Sequence, residues 1–116
     1  VPATERLFAR NGLSFGDIGL IELNEAFAPQ VLACLKGWGW ADDDSRHEIL
    51  NVNGSGISLG HPIGATGLAQ IFELVMQLRG EAGKRQVDGP RVAVAENGGG
   101  LWGIEEAVCA ISVLSR

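Results

Sequence analysis

Asn51 to Gly67 read Asn-Val-Asn-Gly-Ser-Gly-Ile-Ser-Leu-Gly-His-Pro-Ile-Gly-Ala-Thr-Gly, and this run constrains the fold more than any other. Glycine at that density rules out an uninterrupted helix or strand and lets the backbone pass close to a neighbour. One titratable side chain sits inside it, His61, held between Gly60 and Pro62, and a helical pattern begins directly after it. The 17 glycines of the chain fall in clusters with no period, which excludes collagen and argues for several tight backbone passages rather than a flexible linker.

At 116 residues the chain is one domain, and 46% hydrophobic residues suffice for a core. Tyrosine is absent and aromatics are few, so that core is expected to be aliphatic. A net charge of −5 gives no electrostatic footprint for nucleic acid. Asp42-Asp43-Asp44, the one charge run, reads as a solvated loop, and His47, between Arg46 and Glu48, reads as a surface residue. No apolar stretch is long enough to cross a bilayer, and no leader pattern is present. Cys34 and Cys109 lack CxxC spacing and lie in apolar surroundings, as expected for two buried thiols of a cytoplasmic protein. Two distant histidines give a metal site no support. The start at Val1-Pro2 suggests a piece of a longer chain.

Residues 2–11 read as a short helix stopped by Gly12, Leu13 to Asp17 as a turn, and Ile18 to Leu23 as a buried strand. A helix follows from Ala26 to Lys36, regular from about Phe27 because Pro29 fits only a first turn. Ile49 to Val52 is a short strand candidate. Leu68, Ile71, Phe72, Val75, Met76 and Leu78 recur at helical spacing with Gln70, Glu73 and Gln77 opposite, so the apolar side is expected to face the core. Arg91 to Ala95 and Glu105 to Leu114 read as strands, antiparallel because only a Gly98-Gly99-Gly100 turn region joins them. Alternating strands and helices predict an α/β fold, a mixed sheet covered by helices on both faces with an antiparallel pair at the end.

Ligands of open α/β sheets collect beyond the carboxyl ends of strands. Three polar groups occupy such positions: Asn24-Glu25, the Gly54–Gly67 loop, and Glu96-Asn97 with its glycines. Each also has a plain structural reading. Asn24 suits a helix N-cap, and on pattern alone that reading is preferred. Glu25 suits the dipole of a first helical turn. His61 divides evenly between a surface loop residue and a functional one. Gly64 and Gly67 suit helix–strand packing, and Glu96 suits an exposed turn, although it follows an apolar strand and opens a glycine nest. The glycines do not space as GxGxxG, and no Lys-Ser or Lys-Thr follows them, so a nucleotide-phosphate loop is disfavoured.

Asn24-Glu25-Ala26-Phe27, then Gly60-His61-Pro62-Ile63-Gly64-Ala65-Thr66-Gly67, then the triple glycine before the last strand, resemble the C-terminal domain of thiolases in order and spacing. The resemblance covers nearly all of residues 1–116 and implies one βαβαββ half of a two-domain enzyme whose nucleophilic cysteine lies in an N-terminal half absent here. It implies that His61 activates that nucleophile, that Asn24 holds a water in an oxyanion site, and that Gly98 offers its N–H to a second one. It further implies that Phe27, beside Ala26, lines the acyl or pantetheine channel, with Gly60 and Pro62 flanking the histidine. Coenzyme A thioesters would be substrates, no cofactor would be permanently bound, and the complete protein would be a homodimer or homotetramer.

One departure stands out. Thiolases place an acid/base cysteine where this chain has Glu96, in Glu96-Asn97-Gly98. Either Glu96 replaces the cysteine in a working thiolase or related C–C lyase, its pKa raised by burial, or the protein is a divergent acyl-CoA-binding subunit. In both cases the 116 residues alone are expected to be inactive.

Overall fold

The structure, a computed structural model, describes residues 1–103 and 105–116. Helix α1 (Pro2–Asn11) starts on a proline that fits a first turn and ends at Gly12, whose left-handed backbone (φ 64°) returns its N–H to the Phe8 carbonyl. Strand β1 (Leu20–Leu23) follows, then α2 (Ala28–Gly37), with Pro29 in the first turn. The glycine-rich run folds into a short helix α3 (Ser55–Leu59) and a loop, and α4 (Thr66–Arg79) continues from it. Strands β2 (Val92–Trp102) and β3 (Glu105–Ser115) complete a sheet of order β1-β2-β3. The β1–β2 pair is parallel and the β2–β3 pair antiparallel, as the alternation of elements predicts.

Side chains alternate across the sheet and build a core on each face. Ile21, Leu23 and Val94 meet Phe8 of α1 and Val31 and Leu35 of α2. Leu20, Ala93 and Ala95 meet Leu74 and Leu78 of α4. The first core is more aromatic than expected, since Phe15, Trp38 and Trp40 pack edge-on or tilted beside it with ring centroids 5.2–5.5 Å apart. No helix among the described residues is long and apolar enough to cross a membrane.

Four expectations need correction. Ile49 to Val52 is not a strand: Leu50 makes one parallel bridge to Ile21, and Asn51 then turns the chain with φ 49°. The Asn51 side chain takes over the ladder, accepting from the Leu23 N–H at 2.8 Å and donating to the Leu23 carbonyl at 2.9 Å. Gly98-Gly99-Gly100 is not a turn: β2 runs through it, with Gly98 opposite Cys109 and Gly99 opposite Val108. The reversal comes later, at Gly103 with φ 64°. Neither thiol is buried, Cys34 being half-buried and Cys109 exposed.

The fourth correction concerns α4, which keeps Ile71 and Leu78 of its apolar side against the core but turns the rest of that side outward. Its polar side, Gln70, Glu73 and Gln77, is buried together with Leu74 and Leu78, whereas Leu68 and Phe72 are 74% and 62% exposed. The glutamines serve backbone groups of the strand and of the connector after α4. Gln70 Nε2 donates to the Glu96 carbonyl at 2.9 Å, and Gln77 bridges the Arg85 carbonyl and the Val87 N–H at 2.8 Å each. Glu73 receives the Arg85 guanidinium. Burial raises the Glu73 carboxyl, but the Arg85 and Gln77 hydrogen bonds more than offset this and hold it below the ordinary value.

Candidate active site

His61 lies in the exposed loop between α3 and α4, and the local sequence fixes it from both sides. Gly60 takes φ 91°, ψ 164°, a conformation in effect restricted to glycine. On the other side, His61 Nδ1 is 2.8 Å from the Thr66 hydroxyl, and that hydroxyl donates to the Pro62 carbonyl at 3.1 Å. A hydroxyl has one proton to give. With that proton on Pro62, Thr66 Oγ1 accepts from His61 Nδ1–H, and the neutral imidazole keeps its lone pair on Nε2.

Glu25 anchors the loop to the end of β1. Its carboxylate accepts from the Asn51 side chain at 2.9 Å and from the Ile57 N–H, in the first turn of α3, at 2.8 Å. Glu25 therefore serves a first helical turn, though that of α3 and not of α2. Asn24 is not the N-cap of α2, because that position belongs to Phe27. It is 1% exposed, its N–H donates to the Glu96 carbonyl at 3.1 Å, and its Oδ1 has no hydrogen-bond partner among the described residues. Ala26 is half-buried, while Phe27, Gly60 and Pro62 are exposed.

Glu96 is the last β2 residue paired with β1, opposite Leu23, and it is buried within a strand rather than exposed in a turn. The Glu96 carbonyl also receives Gln70, whose Oε1 accepts from Asn97 Nδ2 at 2.9 Å. A Cβ on Gly67 would stand 3.7 Å from the Asn97 side chain, so the start of α4, directly after the histidine loop, touches the middle of β2. The main chain thus brings Asn24, the histidine loop, Glu96 and Gly98 to one rim.

The Glu96 side chain does not join that rim. It lines a cavity of about 250 Å³ on the α1–α2 face with Gln30, Cys34, Trp38 and Cys109, and Oε1 accepts from Cys109 Sγ at 3.3 Å. Thr66 and His61 belong to the α4 side. Among the described residues no cluster of three or more His, Cys, Asp or Glu is placed to hold a metal ion.

The sequence reading missed Thr66, Gln70 and Glu22. Thr66 was legible as a hydroxyl five residues beyond the histidine. Gln70 had no signal, because a glutamine on an amphipathic helix reads as solvated. Glu22 interrupts the apolar strand Ile-Gly-Leu-Ile-Glu-Leu, and a carboxylate in such a strand was the available sign.

These features define an α/β domain whose ligand rim lies where the parallel pairing of β1 and β2 ends and carries a histidine whose Nδ1 rests on the Thr66 hydroxyl. The chain belongs to the thiolase family: residues 1–101 match the family described as thiolase, C-terminal domain. It is 44% identical over 108 residues to sterol carrier protein 2 of Oryctolagus cuniculus, covering 82% of this chain and 20% of that protein. It is 55% identical over 78 residues to the 3-ketoacyl-CoA thiolase of Photorhabdus laumondii, covering 67% of this chain and 19% of that one. The acetyl-CoA acetyltransferase of Bacillus anthracis superposes with a TM-score of 0.66 at 37% identity, over 82% of this chain and 21% of that chain. The chain thus spans about a fifth of the length of these relatives.

Proposed function

We propose that this domain supplies the histidine and asparagine of a thiolase-type acyltransferase that cleaves or forms 3-ketoacyl-CoA thioesters, with the nucleophilic cysteine carried by an N-terminal half of the same chain. The observation that carries this is the Thr66 clamp, which leaves His61 Nε2 as the base facing outward. A base so placed takes the proton of an incoming thiol and raises its thiolate fraction. Asn24, through a bound water, and the Gly98 N–H stabilise the oxyanions that develop on the thioester and ketone oxygens, each donor contributing roughly 10²–10³ in rate. Phe27, Ala26, Gly60 and Pro62 line the acyl approach. The exposed Leu68 and Phe72 of α4, with Ile57 and Leu59 of α3, provide the apolar surface on which the N-terminal half docks.

A second reading, a divergent acyl-CoA-binding subunit or C–C lyase, is favoured by one observation: the Glu96 carboxylate lies on the opposite face of the sheet from Thr66. Thiolysis and condensation of acetoacetyl-CoA by the full-length protein test both readings. Loss of at least a hundredfold in kcat in H61A is the expected outcome. Unchanged rates in E96Q remove Glu96 from proton transfer, and unchanged rates in H61A overturn the thiolase reading.

A further inference from the structure

Behind the histidine loop is a cavity of about 120 Å³, part apolar at Leu59 and Ala69, into which polar groups of β1, α3 and α4 converge. Its walls include Glu22, Ser55, Gly60, Pro62, Thr66 and Gln70. Glu22 is 1% exposed, and its Oε1 meets no donor or acceptor among the described residues, while Ser55 hydrogen-bonds the carboxyl. A buried carboxyl oxygen left in this way is costly unless something polar reaches it. The cavity has room for a few water molecules at roughly 30 Å³ each, and its walls offer the two to four polar partners that each water needs.

We propose that Glu22 is a positioning residue for His61, acting through buried water that links its carboxyl group to the Thr66 hydroxyl and the underside of the His61 loop. The connection is short. Thr66 lines the cavity and is also the group on which His61 Nδ1 rests, at 2.8 Å. Gly60 and Pro62, the neighbours of His61, form another part of the same wall. Water held by Glu22 donates to the second lone pair of Thr66 Oγ1, which keeps the one Thr66 proton on the Pro62 carbonyl and Oγ1 an acceptor for Nδ1–H. The protonated acid suits this work because it both donates and accepts. Burial, then the nearby carboxylates of Glu73 and Glu25, push its pKa up to about 8 against the opposing Ser55 hydrogen bond. Glu73 is itself paired with Arg85, and His61 is the remaining titratable group of the loop.

The proposal rests on the thiolase reading for its consequence in rate, but its structural half is measured without substrate. In the full-length protein labelled with ¹⁵N-histidine, the parent should show His61 as the Nδ1–H tautomer. E22Q, which keeps one donor and one acceptor, should match it. E22V, which keeps neither, should show mixed tautomers and a kcat for acetoacetyl-CoA thiolysis reduced roughly tenfold or more with KM unchanged. A high-resolution crystal structure of the parent should place ordered water within hydrogen-bonding distance of both Glu22 and Thr66, which keeps the test decisive if E22V does not fold. A dry cavity, a wild-type His61 spectrum in E22V, or equal loss in E22Q and E22V overturns the proposal. If no form of the protein thiolyses acetoacetyl-CoA while the His61 spectra divide as expected, the thiolase reading fails and the positioning role stands.

Discussion

Glu22→Gln should make the domain more stable at alkaline pH and leave it nearly unchanged at pH 4.5. Glu22 is buried on β1 with its pKa raised from 4.5 to about 8. The folded state therefore holds a proton that the unfolded chain has already released. Stability falls as pH rises from about 4.5 to about 8 and is level outside that window. At ~1.36 kcal/mol per pH unit the interval gives a ceiling of about 5 kcal/mol, and relaxation around the new charge brings the expected penalty to about 2–4 kcal/mol. Glutamine keeps the shape and hydrogen-bonding capacity and removes the titration. Native-state hydrogen exchange of the β1 amides in the full-length protein, compared between parent and E22Q at pH 5 and pH 9, isolates this group from the others that titrate in the same range. E22Q should gain protection relative to the parent as pH rises. A difference that stays constant between the two pH values, or that grows in favour of the parent, refutes the reasoning.

Leu74→Ala removes a fully buried side chain of the α4 core and should cost about 2–5 kcal/mol in urea unfolding, with the slope unchanged. Arg85→Met leaves the buried Glu73 carboxylate without its guanidinium and should cost about 1–3 kcal/mol at pH 7. The loss should shrink as acid protonates Glu73, which urea midpoints at pH 7 and pH 4 will read. Gly100→Ala places a side chain at φ 72° with its Cβ 3.1 Å from that of Ala107, and should cost roughly 1–2 kcal/mol in thermal melts. The control Gly99→Ala meets open space and should change little.

The order of elements was legible because it rests on local patterns. A proline in the first turn and a left-handed glycine bound α1, and apolar runs mark β1 and the start of β2. What was not legible depends on partners. The α4 pattern shows two distinct faces but not which one meets the sheet. The sheet took the glutamines because they give the Glu96 carbonyl a second donor and give the backbone from Arg85 to Val87 a donor and an acceptor. The glycine run after Asn97 carries turn composition, yet Gly98 and Gly99 pair with β3 and the chain continues in the strand past Gly100. At the candidate site, sequence named the residues near the rim but not their sides. Strand alternation sends the Glu96 side chain away from His61, and Glu22 reads as one polar letter in an apolar strand.

Asn51 bears on how this domain behaves among other chains. A sheet edge with unpaired N–H and C=O groups is a template for a passing strand. At Leu23 both groups are already taken by the Asn51 amide, and Asn51 N–H occupies the Ile21 carbonyl at 2.8 Å. The outer border of β1 is thus sealed by one side chain and one turn of backbone, without a fourth strand that would itself present a new open border. The device that ends the ladder also protects the β1 edge of the sheet against intermolecular strand addition.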